Sequence, residues 1–151
     1  MGATVAAEPP SEPQIVHATT VALGSRALLI TGPSGAGKSE LALMLMGLGA
    51  ALVADDRSEL TPQASGPPIA QAPEAIRGII EARGVGLLLA DAAPPTPLAA
   101  VLDLSETETQ RLPQDRSTKL LGTELPLLHK VETAYFPAVL IQYLKFGKVV
   151  R

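Results

Sequence analysis

Cysteine is absent from the 151 residues, which excludes disulfides and thiolate-held metals and suits a reducing compartment. A basic excess is missing too. Twelve Lys and Arg stand against fifteen Asp and Glu, a formal net charge of −3, and the cations are scattered, so no field gathers nucleic acid to the surface. No apolar run reaches the ~18 residues of a membrane span, and residues 1–14 have neither the basic start nor the apolar centre of a secretory signal. These absences point to a cytoplasmic protein with neither nucleic acid nor membrane as a partner. There is no internal repeat and no low-complexity tract beyond short proline-rich pieces. What remains is 46% apolar and only 18% charged, a balance that can build one real core at this length. Residues 1–14, with Pro9, Pro10 and Pro13 among Glu and Ser, read as a disordered lead. Residues 15–151 read as a single domain.

Against that background stands GPSGAGKS, residues 32–39, directly after the apolar run Ala27-Leu28-Leu29-Ile30. It fits G-x-x-x-x-G-K-[ST] at every fixed position. A loop that wraps phosphate must aim several backbone N–H groups at the same oxygens, and glycines remove the Cβ atoms that would block the approach. Gly32, Pro33, Ser34, Gly35, Ala36, Gly37, Lys38 and Ser39 thus read as a Walker A phosphate loop. Lys38 would reach the β- and γ-phosphates, and Ser39 would offer its hydroxyl to Mg²⁺. The flanks agree with this. Residues 21–23 and 27–30 read as a hairpin turning at Gly24-Ser25-Arg26, and its second strand feeds the loop. Leu41, Met44, Leu45 and Leu48 then recur at helical spacing, with Gly49 placed to stop the helix.

Further along the chain the pattern is less regular. Ser65-Gly66-Pro67-Pro68 suggests a turn between two short edge strands. Pro73 suits the first turn of a helix carrying Ile76, Ile79 and Ile80. Residues 84–90 read as a buried strand, residues 98–104 as a further apolar segment, and residues 135–146 as a helix on the spacing of Val139, Leu140, Tyr143 and Leu144.

A second constellation is Leu52-Val53-Ala54-Asp55-Asp56, an apolar strand that ends in two carboxylates. Chemistry in α/β sheets collects at the C-terminal ends of strands. One acid there could hold Mg²⁺ while the other takes a proton from an attacking hydroxyl. Adjacent side chains on a strand point to opposite faces, so both reach one site only if the chain turns at the pair. On the pair alone, a turn or cap is an equally good reading. Asp91, ending the run that begins at Gly86, is a rival Mg²⁺-associated acid.

Four segments taken together, His17, GPSGAGKSE, LVADD and IRGIIEARGVGLL (residues 76–88), resemble the HPr kinase/phosphorylase family. The most specific piece is Glu81-Ala82-Arg83-Gly84-Val85-Gly86, similar to that family's E-x-R-G-x-G signature. The resemblance implies an α/β P-loop domain of the HPr kinase/phosphoenolpyruvate carboxykinase type. Its implied activity is an ATP- and Mg²⁺-dependent kinase for a serine of HPr, the phosphocarrier of the sugar phosphotransferase system. It also implies a homo-oligomer, hexameric in the family. By the same resemblance Ser39, Asp55 and Glu81 are metal-associated, and Asp56 is the acid/base group. His17 stands near that aspartate, and Arg83 and Arg111 lie on loops over the phosphates.

The match extends to about residue 125 and covers only the catalytic domain of a usual family member. Where the family has an arginine-rich proline-glycine loop, this chain has Leu127-Leu128-His129-Lys130-Val131-Glu132, which implies reduced phosphorylase activity. The alternatives are a small-molecule or nucleotide kinase and a nucleotide-binding regulatory module without catalysis. A chain of this length leaves little room for the lid and acceptor pocket of the first, and the second has no need of Asp56 or Glu81. There is no H-R-D or D-F-G pattern of the eukaryotic protein kinases.

Overall fold

The structure, a computed structural model, describes residues 12–150. Its elements are β1 (Gln14–Val16), β2 (Thr19–Leu23), β3 (Arg26–Thr31), α1 (Lys38–Gly47), β4 (Ala51–Ala54), β5 (Ser58–Thr61), β6 (Ile69–Gln71), β7 (Ile79–Ala82), β8 (Gly86–Leu89), β9 (Thr96–Thr107), β10 (Arg116–Leu120), β11 (Thr123–Lys130) and α2 (Phe136–Phe146). Most of the expected lead falls outside the described residues. Gln14 already belongs to β1, where it pairs with Leu60.

Nine strands form one sheet in the order β1-β5-β6-β9-β3-β2-β4, with β11 also pairing with β9 and β10 with β11. β3, β9 and β11 are mutually parallel. β2 runs antiparallel to both β3 and β4, so β4 points the same way as β3. The C-terminal ends of β3, β4, β9 and β11 therefore share one edge, which is where ligand chemistry concentrates in such sheets. The glycine loop and the Asp55-Asp56 pair both leave from it.

The period of two decides which side chains build which core. Leu28 and Ile30 of β3 face α1 and α2 together with Val21, Leu41, Leu45, Leu140 and Leu144. Leu29 points to the other face, with Val53, Leu60, Leu98, Val101 and Leu125. β3 is thus covered on both sides and reads as an uninterrupted apolar run. Each such fully buried Leu or Ile contributes roughly 1.5–3 kcal/mol, so the strand that feeds the loop is among the best anchored in the molecule.

The two helices end on different devices. Gly37, at φ 98°, precedes the first residue of α1. At the other end of the helical layer, Arg26 Nε donates to the Leu144 carbonyl of α2 at 2.8 Å, and its guanidinium lies 5.9 Å from the Tyr143 ring centroid. A cation there satisfies carbonyls that the last turn leaves free and complements the negative end of the helix.

Three sequence expectations need correction. The helix expected to carry Ile76, Ile79 and Ile80 is only a 3₁₀ turn, Glu74–Ile76, followed by the strand β7. Gly78 breaks it: its φ is 72°, and a Cβ there would meet the Ala90 carbonyl oxygen at 3.2 Å. The run expected to be a buried strand forms β8, which pairs only with β7 as a separate two-stranded sheet. Its Leu87 and Leu89 are 71% and 91% exposed. Apolar composition indicates burial there, but among the described residues β8 pairs with no strand other than β7. Finally, β5 and β6 pair as expected across the Ser65–Pro68 turn, yet they lie inside the sheet between β1 and β9 rather than at its edge. The expected hairpin of β2 with β3, the helix after the loop and the final helix are all present.

Candidate active site

The glycine loop closes on itself between β3 and α1. Gly32 sits so close to its surroundings that a Cβ would meet Ala36 Cβ at 3.1 Å and Leu104 Cβ at 3.3 Å. Lys38 is buried to 6% exposure, and its Nζ donates to the carbonyls of Gly32 at 2.8 Å and Pro33 at 3.0 Å. The ammonium is therefore held inside the loop by neutral acceptors. That leaves a full positive charge which an anion entering the loop can recruit.

Next to it, Ser39 Oγ donates to Asp55 Oδ1 at 2.6 Å. The same Oδ1 accepts from Thr19 Oγ1 at 3.1 Å, and Oδ2 accepts from the backbone N–H of Glu81 at 3.0 Å. Asp55 is 8% exposed, and these three contacts draw α1, β2 and β7 onto one carboxylate. A buried carboxylate needs such donors, because an unpaired one is strongly disfavoured. Among the described residues no buried side-chain polar atom lacks a partner.

Asp56 turns outward. Its φ of 69° lies in the left-handed region, its N–H donates to Thr19 Oγ1 at 3.1 Å, and its Oδ1 stands 2.7 Å from His17 Nε2. The chain does turn at the pair. Asp55 faces the loop helix and Asp56 faces solvent beside an imidazole, with exposures of 49% for the His17 side chain and 63% for that of Asp56. One acid is fixed and covered while its neighbour is accessible and has a basic partner.

Ser39, Asp55, Asp56, His17 and the Glu81 backbone thus meet through direct contacts. The Glu81 side chain is exposed on β7, and Arg83 is exposed in the turn between β7 and β8. Arg111 is exposed in the connection between β9 and β10. Neither arginine forms an ion pair among the described residues. Asp91, the rival acid, lies elsewhere: its carbonyl accepts from Leu52 N–H at 3.2 Å, which puts it beside the first half of β4, away from the end that carries Asp55.

Two residues of this neighbourhood escaped the sequence reading. Thr19 carries the hydrogen bond between the two acids, but it is 36 positions from Asp55 and nothing local distinguishes it from a strand threonine. Asp103 pairs in register with Thr31, the last residue of β3, on one side and with His129 on the other. A carboxylate inside the apolar run 98–104 was a usable signal.

The donors present suit Mg²⁺. A hydroxyl and one carboxylate already lie within hydrogen-bond distance of each other beside the loop. Mg²⁺ commonly takes one or two protein oxygens and completes its shell with phosphate and water.

Comparison with known proteins gives a consistent result. The HPr Serine kinase C-terminal domain family matches residues 10–93. The HPr kinase/phosphorylase of Bordetella pertussis (strain Tohama I) is 45% identical over 73 residues, which cover 48% of this chain and 24% of that protein. The HPr kinase/phosphorylase of Geobacillus thermodenitrificans is 36% identical over 125 residues, covering 75% of this chain and 40% of that one. The matched chain spans well under half the length of either relative. The solved structure of the Hpr(Ser) kinase/phosphatase from Coxiella burnetii superposes with a TM-score of 0.70 over 87% of this chain and 88% of that one, at 24% identity. That likeness establishes a shared fold. No helix among the described residues is long and apolar enough to cross a membrane.

Proposed function

The chain belongs to the HPr serine kinase C-terminal domain family, and from that membership we propose that it is an ATP- and Mg²⁺-dependent kinase domain that phosphorylates a serine of the phosphocarrier protein HPr. The observation that carries the reading is the paired environment of the two acids: Asp55 tied to Ser39 beside the glycine loop, and Asp56 exposed against His17.

Phosphoryl transfer asks a protein chiefly for position and charge neutralisation. In this reading the backbone N–H groups of residues 32–39 hold the phosphates, and Lys38 leaves the Gly32 and Pro33 carbonyls for a phosphate oxygen. Ser39 and Asp55 would hold Mg²⁺, with the exposed Glu81 carboxylate on the adjacent β7, and the ion would offset the phosphate charge. Both oxygens of Asp55 already accept hydrogen bonds, so it serves the ion most readily through a water. Asp56 accepts the proton of the incoming serine hydroxyl. As that O–H breaks, the serine oxygen bonds to the γ-phosphorus, the bond from phosphorus to the β,γ-bridging oxygen breaks, and ADP leaves. His17 orients Asp56 and steadies its charge. Arg83 and Arg111 neutralise the transferring group from the two loops that carry them.

HPr fits as acceptor because the site is open. Asp56 and His17 lie at the surface, open to solvent, whereas small acceptors are usually enclosed in a pocket and a protein substrate supplies its own cover. A homo-oligomer and a weakened phosphorylase direction belong to the same reading, the latter because His129 and Lys130 stand where the family has an arginine-rich loop. The test is incubation of purified protein with HPr, ATP and Mg²⁺, followed by mass mapping. The expected product is phosphoserine on HPr. Modification of a nucleoside with none on HPr refutes the reading.

A further inference from the structure

The connection from β9 to β10 carries Arg111 and is held by polar contacts rather than packed apolar side chains, among them the ion pair of Asp115 with Lys148. β9 runs past Asp103, the register partner of Thr31, through an irregularity that brings Thr107 opposite Lys130, so the connection starts beyond the edge that bears the glycine loop. Arg111 is exposed, and the adjacent Leu112 is 76% exposed. Gln110, Gln114, Asp115 and Arg116 surround an open cavity of 310 Å³ instead of packed side chains. Without apolar contacts, a loop of this kind samples many conformations unless polar contacts close its base.

Glu108 supplies that closure. Its backbone N–H donates to the Lys130 carbonyl of β11 at 2.8 Å. Its carboxylate receives Arg116 in a two-pronged pair, Nε to Oε1 at 3.2 Å and Nη2 to Oε2 at 3.2 Å, and it accepts Gln110 N–H at 3.3 Å. The Glu108 side chain is only 8% exposed and that of Arg116 39%. The pair joins the first residue of the connection to the first residue of β10, with Arg111 between them. The hydrogen bond from Arg116 holds the Glu108 carboxyl below the usual glutamate range, so the clamp is charged at neutral pH. Planar guanidinium–carboxylate pairs fix orientation as well as distance, and here the orientation fixed is that of the loop base.

We infer that Glu108 is a positioning residue: through Arg116 and the Gln110 N–H it sets the conformation of residues 109–115 and so presents Arg111 to the transferring phosphate. The inference rests on the proposed kinase reading for what Arg111 does, but not for what Glu108 holds.

Four variants test it: Glu108→Gln, Arg111→Ala, the double variant of both, and the charge reversal Glu108→Arg with Arg116→Glu. The first readout needs no activity. Hydrogen exchange of residues 109–115 is expected to speed up about tenfold in Glu108→Gln, with β3 and α1 unchanged, and unchanged exchange in the loop overturns the inference. The second readout is kinetic, with HPr as acceptor. Glu108→Gln is expected to lower kcat on the order of tenfold, the scale of a slightly misplaced group, with KM for ATP within about twofold. The double variant is expected to be no slower than Arg111→Ala, and the charge reversal to recover most of the loss. If Arg111→Ala slows transfer but Glu108→Gln does not, the positioning role is overturned. If Arg111→Ala leaves transfer intact, Glu108 has no reacting group to position and the inference fails while the kinase reading stands. If the wild type transfers nothing to HPr, the kinase reading fails, and the exchange result alone decides whether Glu108 fixes the loop.

Discussion

Replacing Asp55 by Asn changes one atom and leaves the shape alone, so the loss it causes can be worked from three contacts. The carboxylate accepts from Ser39 Oγ (2.6 Å), Thr19 Oγ1 (3.1 Å) and Glu81 N (3.0 Å), and an amide has one accepting oxygen. If that oxygen keeps the two hydroxyls, the amide NH₂ faces the Glu81 N–H, donor against donor. If it flips to serve Glu81, both hydroxyls lose their acceptor. Either way at least one charge-assisted hydrogen bond goes, worth about 1.5–3 kcal/mol, and a covered donor is left unsatisfied at about 1–3 kcal/mol. Partial relaxation makes roughly 2–4 kcal/mol the reasonable total. At this chain length each kcal/mol moves the midpoint about 2–4 °C, so Tm is expected to fall by about 4–16 °C in calorimetry. The Glu81 amide, mapped by hydrogen exchange, is expected to lose protection before the β3 amides do. A midpoint within 1 °C of wild type, with the Glu81 amide still protected, refutes the argument that this carboxylate fastens β7 to the site.

Lys38→Ala removes the only ammonium inside the loop. It is expected to weaken ATP binding by about thirtyfold or more, the equivalent of one charge-assisted contact of ~2 kcal/mol, with the fold retained; titration of labelled ATP measures it, and unchanged affinity excludes Lys38 as a phosphate ligand. Asp56→Asn is expected to keep ATP affinity yet slow single-turnover transfer by about 10²–10⁴; a normal rate excludes Asp56 as the base. Tyr143 gives a prediction in pH. Burial raises its hydroxyl above the ordinary value of 10, with Arg26 partly opposing, so the fold favours the neutral form. That stability is complete below pH 10 and is lost as pH rises from there through the folded-state value. Tm of the wild type is therefore expected to fall more steeply than that of Tyr143→Phe between pH 9.5 and 11.5, and parallel curves refute the assignment.

The parts of this architecture that the sequence announces are those whose pattern is local. The loop has a fixed spacing of glycines with a lysine, β3 is apolar throughout because both faces are covered, and α1 follows within a few residues. The acid pair was legible as a pair, but which acid would be covered depended on Thr19 and on the left-handed turn at Asp56, neither of which leaves a local mark. The hairpin β7–β8 departs from its sequence pattern for a different reason. Three isoleucines in five positions imitate a helical face, and the kink that overrules them is set by a contact between Gly78 and the Ala90 carbonyl, twelve residues apart. Leu87 and Leu89 carry an apolar signal that normally marks a core, and composition cannot say that a strand has only one neighbour.

The way the hairpin attaches explains why this region carries fold and chemistry together. β7 buries Ile80 at 1% exposure in the core that α1 and α2 cover, and the next residue, Glu81, donates its N–H to Asp55. Alternation along a strand then sends the Glu81 side chain to the opposite side from Ile80, outward, two residues before Arg83. One anchored isoleucine thus fixes the height of the strand, the acid beneath it fixes the register, and the groups that follow project from a base that cannot slide. The exposed half of the hairpin has no such hold: β8 is tied to the body at its base, by the Ala90 N–H to the Gly78 carbonyl at 2.9 Å. Rigidity is therefore concentrated where Asp55 needs an amide donor and falls off toward Arg83 and Gly84. A segment that must meet an incoming partner and still keep its root beside the phosphate loop has physical reason to be built with that gradient.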